Sequence, residues 1–196
     1  VKWKTSNNNI AKVSKSGLVT AKKSGTCYIR AIYGGESYYW AINVTTPQKY
    51  RVIIKAKKIA KRSTYSQDNR MQDGYYDCSS LVWRAYASEG VYIGGRYSRV
   101  APTAADECKI LVDQGKKVKG ALSKSNIQKR KLRAGDLFFE TGADNGRYKG
   151  IYHVEMFTGY DILKVRSNGK VVYTTTWANR TNGYYPTGTK SIVCRP

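Results

Sequence analysis

The period of the apolar side chains changes twice along this chain of 196 residues, and that change limits the folds open to it. Through residue 46 the apolar positions alternate in short runs. Residues 11–14, 18–21, 26–33 and 37–44 are separated by Ser16-Gly17, Ser24-Gly25 and Gly34-Gly35, the punctuation of hairpins. From residue 50 the spacing becomes helical. Val52, Ile53, Ala56, Ile59 and Ala60 fall on one face with lysines between them. After Gly135 alternation returns in residues 136–140, 151–159, 171–177 and 190–194, with Asn168-Gly169 as a hairpin turn. The order predicts a small all-β module at 1–46, a hinge at 47–50 around Pro47, and an α+β domain at 51–196, with helices first and an antiparallel sheet after.

Two further helices are expected before the sheet. Residues 79–89 place Leu81, Val82, Ala85 and Tyr86 on an apolar side and end at Gly90. Pro102-Thr103 with Asp106 approximates a capping box that opens a third helix, which ends at Gly115. Residues 115–133 read as loop.

Lys and Arg number 35 against 13 Asp and Glu, a formal net charge of +22. Such a field attracts polyanions, either nucleic acid or the anionic polymers of a bacterial wall. No helix-turn-helix, zinc finger or aromatic-basic motif accompanies the charge, so nucleic acid is not the expected partner. No apolar run approaches the roughly 20 residues of a membrane helix. Cys27, Cys78, Cys108 and Cys194 stand far apart with a single histidine, which excludes a Cys/His zinc cluster. No metal or cofactor is expected, and the cysteines are expected to be reduced.

Asp77-Cys78-Ser79-Ser80 sets a cysteine in the first turn of a helix, where free N–H groups and the helix dipole favour a thiolate. Read alone, it could equally be a core cysteine. His153, the only histidine, sits in the strand Ile151-Tyr152-His153-Val154-Glu155-Met156-Phe157. Alternation turns Val154 and Met156 to the core and His153, Glu155 and Phe157 to the other face. Cysteine and histidine together suggest a nucleophile and its base.

Four blocks, Tyr65-Ser66-Gln67, Tyr76-Asp77-Cys78-Ser79-Ser80-Leu81-Val82, Gly135-Asp136-Leu137-Phe138-Phe139 and His153-Val154-Glu155-Met156-Phe157, resemble NlpC-type cell-wall cysteine peptidases in order and spacing. The likeness spans about residues 50–195. It implies a papain-like core and a peptidoglycan endopeptidase that cuts stem peptides between D-glutamate and the diamino acid. Cys78 is then the nucleophile, His153 the base, and Tyr65 an oxyanion donor. Asp77 caps the helix, and Ser79 and Ser80 line the cleft with it. The family's third polar residue is often a second histidine, which this chain lacks. Asn179 is the expected substitute, with Asn182 and Thr176 as rivals, and Glu155 is expected to face the groove and meet a substrate amine.

Trp3, residues 7–13, Ser16-Gly17-Leu18-Val19-Thr20-Ala21, Gly25-Thr26 and Ala41-Ile42-Asn43-Val44 are similar to the second group of bacterial immunoglobulin-like domains, without the opening strands. That likeness implies an exported, wall-associated protein. The alternative to an enzyme is a wall-binding or adhesion module that keeps the fold without turnover.

Overall fold

A computed structural model of the chain describes residues 1–95, 99–119, 124–179 and 191–196. The N-terminal region forms β1 (Lys2–Thr5), β2 (Ala11–Val13), β3 (Val19–Ala21), β4 (Gly25–Tyr33) and β5 (Glu36–Val44). β1, β4 and β5 make an antiparallel sheet in that order, and β2 pairs with β3. Gly34 and Gly35 both take positive φ, which allows the two-residue turn between β4 and β5.

The expected hinge is instead the start of a helix. α1 runs Pro47–Arg62, with proline in its first turn and Thr46 as N-cap, its hydroxyl accepting from the Lys49 N–H at 3.2 Å. A capping threonine followed by a proline with pre-set φ opens a helix rather than a linker. Two short strands, β6 (Thr64–Tyr65) and β7 (Tyr75–Tyr76), then pair in parallel, and α2 (Cys78–Ala87) and α3 (Ala104–Asp113) follow. Thr103 caps α3 as its sequence indicates. The stretch read as loop contains one further short helix, α4 (Lys124–Gln128).

The main sheet is antiparallel, ordered β10 (Val171–Trp177), β9 (Ile151–Val165), β8 (Leu137–Thr141) and β11 (Ile192–Cys194). Both of its faces are covered. Leu137, Phe139, Val154 and Met156 pack under Val52 and Ile53 of α1, Leu81 and Val82 of α2, and Leu111 of α3. Phe138, Phe157, Tyr160, Tyr173 and Trp177 form the other face, packed with Ile127 of α4 and with Tyr28 and Tyr39 of the N-terminal sheet. Burying one such large side chain contributes about 1.5–3 kcal/mol, so the second face is a core in its own right.

The N-terminal sheet therefore docks on the main sheet. Asn43 joins them: its amide donates to the Tyr160 carbonyl at 2.9 Å and its oxygen accepts the Tyr160 N–H at 2.8 Å. Gly159 permits this approach, because a Cβ there would lie 2.7 Å from the Asn43 side chain.

Candidate active site

Asp77 starts α2 through a reciprocal cap. Its carboxylate accepts the Ser80 N–H at 2.7 Å, and the Ser80 hydroxyl accepts the Asp77 N–H at 2.9 Å. This box fixes Cys78 as the first residue of the helix, where backbone N–H groups have no helical partner. It also corrects one expectation. Ser80 is 0% exposed and spends its hydroxyl on the cap, so it does not line a cleft. The Asp77 carboxylate caps the helix, is held by the Ser79 hydroxyl at 3.3 Å and by Arg70 at 3.3 Å, and still lines the cavity beside Cys78.

His153 and Tyr65 both come within hydrogen-bond reach of the Cys78 thiol. The pairing of β6 with β7 places Tyr65 there, opposite Tyr76, with the two rings edge to face at 5.6 Å. Partial burial, then the charge of Cys78, raises the Tyr65 pKa, so its hydroxyl stays a neutral donor. Burial alone would lower the His153 pKa. Hydrogen bonds to Cys78 and Glu155, and the charges behind them, outweigh burial and raise it to about 10. An imidazole held protonated beside a thiol at a helix N-terminus is the electrostatic setting of a thiolate nucleophile.

Glu155 does not face an open groove. It is 1% exposed, and its Oε1 lies 3.4 Å from His153 Nε2. Glu155 leaves β9 on the Phe157 side, as alternation predicts, but that side is the second core rather than solvent. Among the described residues nothing ties Asn179 to the imidazole either: its buried Oδ1 accepts no hydrogen bond there. Thr176 bonds Thr158 and the Gly159 carbonyl, and Asn182 lies outside the described residues.

Three more residues at the site carried no motif signal. Arg70 reaches from the loop before β7 to Asp77 and to the carbonyls of Ala101 and Pro102. Glu107 of α3 is 0% exposed, and burial, then the charges of Cys78 and Asp77, push its pKa well above the ordinary 4.5. Glu140, the register partner of His153 on β8, could have been suspected from its place two residues after Phe138.

A cavity of ≈ 130 Å³ opens beside the nucleophile, and its lining includes Gln67, Arg70, Asp77, Cys78, Ser79 and Arg147. A larger groove of ≈ 590 Å³ at Lys57, Lys61 and Asn179 includes neither Cys78 nor His153. All four cysteines are free thiols. Cys108 and Cys194 share the core, and their mutual interaction, with burial, keeps the Cys108 thiol from ionising. Among the described residues, no helix is long and apolar enough to cross a membrane.

No curated protein matches the chain significantly. Among solved structures it is similar to NlpC1 from Trichomonas vaginalis, at 18% identity and a TM-score of 0.38, over 93% of this chain and 64% of that one. The chain thus spans less than two thirds of that protein's length. The model of the NlpC/P60 family matches residues 61–186, which include Tyr65, Cys78 and His153. With that match covering more than half of its length, the chain belongs to the NlpC/P60 family, whose members are generally cell-wall cysteine peptidases.

Proposed function

We propose that this chain is an exported peptidoglycan endopeptidase that hydrolyses the stem-peptide bond between D-glutamate and the diamino acid. The observation that carries the reading is Cys78 at the start of α2, with the His153 imidazole and the Tyr65 hydroxyl near enough to its thiol for both to feel its charge. The thiolate attacks the carbonyl carbon, a C–S bond forms, and the oxyanion accepts from the Tyr65 hydroxyl and the Cys78 N–H. The imidazolium gives its proton to the leaving amine as the C–N bond breaks. Water then adds to the thioester, giving one proton to the imidazole, and the thiolate departs. Arg147 and Gln67 on the wall of the adjacent cavity suit the free α-carboxylate of D-glutamate on the acyl side. The net charge of +22 suits retention on anionic wall polymers, and the N-terminal sheet, docked rather than tethered, supports the catalytic region.

The test is release of stem-peptide fragments from purified Gram-positive sacculi by the intact chain and by Cys78→Ala. Fragments from the intact chain alone support the reading, and their masses name the bond. If neither releases fragments while both pellet with the sacculi, the chain is a binding module.

A further inference from the structure

The chemistry above leaves two buried carboxyl groups against the base unused. Glu155 is two residues from His153 on β9, so both side chains leave the strand on the same side. Its side chain is 0% exposed and its Oε1 lies 3.4 Å from Nε2. Glu140 is paired with His153 in the β8–β9 register, is 8% exposed, and accepts the Tyr152 hydroxyl at 2.7 Å. One oxygen of each carboxyl group and one ring nitrogen all lie within 4.8 Å of one another.

This placement differs from the one expected from the sequence. An orienting group on the neighbouring strand depends on inter-strand register, whereas Glu155 rides on the same stiff strand as the base. Its backbone is tied on the β8 side to Phe138, and the next residue, Met156, accepts the Ala178 N–H at 3.1 Å. A carboxylate fixed in this way can select the ring orientation and favour the imidazolium over the neutral ring.

We propose that Glu155 is the positioning residue of this site: it orients His153 and holds its positive charge from within the same strand, with Glu140 adding negative potential from β8. This rests on the Cys-His reading but deepens it, by assigning the third role to a residue of the histidine's own strand. Among the described residues, the charged and titratable groups facing the imidazole are Cys78 from α2, Glu140 from β8 and Glu155 from β9.

Because the chain has one histidine, its ring gives a single NMR titration that needs no substrate. In the intact chain the midpoint should lie near 10. Glu155→Gln should lower it by more than about one pH unit, toward the ordinary value of about 6.5. In Cys78→Ala, where the thiolate is gone and Glu155 untouched, the midpoint should remain above about 6.5. On sacculi, Glu155→Gln should lower kcat on the order of 10²-fold with little change in KM, and Glu155→Asp should restore part of it. A midpoint that Glu155→Gln leaves in place overturns the proposal, as does one in Cys78→Ala that falls to about 6.5 or below. The second outcome stands even if Glu155→Gln fails to fold. An intact chain that shows the raised midpoint but releases no wall fragments sinks the peptidase reading alone.

Discussion

The helix side and the strand side of this site bury acidic groups for opposite ends. Around Cys78, Asp77 is occupied by the α2 cap and by Arg70, while Glu107 lies wholly buried with neither oxygen hydrogen-bonded, and is held protonated. Around His153, Glu155 stands within reach of a base that can become a cation, and there the positive charge is kept. The same residue type thus meets opposite surroundings on the two sides: nothing hydrogen-bonds the Glu107 carboxyl, whereas Glu155 lies beside the imidazole. Five of the chain's 13 acidic residues (Asp77, Glu107, Asp136, Glu140 and Glu155) are buried in a protein of net charge +22. Inside, the low dielectric makes the partner of each such group count for more.

If the two sides divide the work in this way, substitutions should separate them. The largest effect is expected from His153→Ala, which should cut turnover on sacculi on the order of 10⁴-fold. It should also lower stability by about 1–3 kcal/mol in urea denaturation, because the Glu155 carboxylate loses its imidazole partner. Tyr65→Phe touches only the helix side. It should lower kcat by about 10²–10³-fold, leave KM and stability nearly unchanged, and leave the His153 NMR midpoint where it was. A large shift of that midpoint in Tyr65→Phe would show that the two sides are coupled. Smaller still, Ser80→Ala removes one half of the capping box and should cost about 0.5–2 kcal/mol in thermal denaturation, with turnover falling only as far as Cys78 moves.

Much of this division was legible from the residues. The thiol at a helix start followed from Asp77-Cys78-Ser79-Ser80, and the strand bearing the base from the alternation around His153. The sign of Glu155 was not. Alternation says which side of a strand a residue leaves by, but what covers that side depends on contacts distant in sequence, here Tyr28, Tyr39 and Ile127 closing over the far face. The same limit explains the hinge that became a helix start: Thr46-Pro47 carries the local signal, but the change of period drew the boundary at the wrong place. Arg70 and Glu107 left no pattern at all, since their partners are loop carbonyls and groups on other elements. Asn179 lies just past the end of β10, and what a residue there faces is decided by inter-strand register, which the sequence does not carry.

The finest separation comes from stability against pH. Glu107 is neutral when folded and has a raised pKa, so the folded state binds more protons than the unfolded one above the ordinary value of 4.5. Its contribution is complete below that value and is lost as pH rises through the raised folded value. His153 has the same sign in a later window: its contribution is complete below 6.5 and lost as pH rises toward about 10. Denaturation profiles of the intact chain should therefore fall from about pH 4.5 upward. Glu107→Gln keeps the shape and removes the proton, so its profile should stay flat to about pH 6.5 and fall only above it, with turnover unchanged. Glu155→Gln should do the reverse, keeping the early decline and flattening the later one. A Glu107→Gln profile identical to that of the intact chain would mean that Glu107 is ionised when folded, and the contrast between the two sides would fail at its helix end.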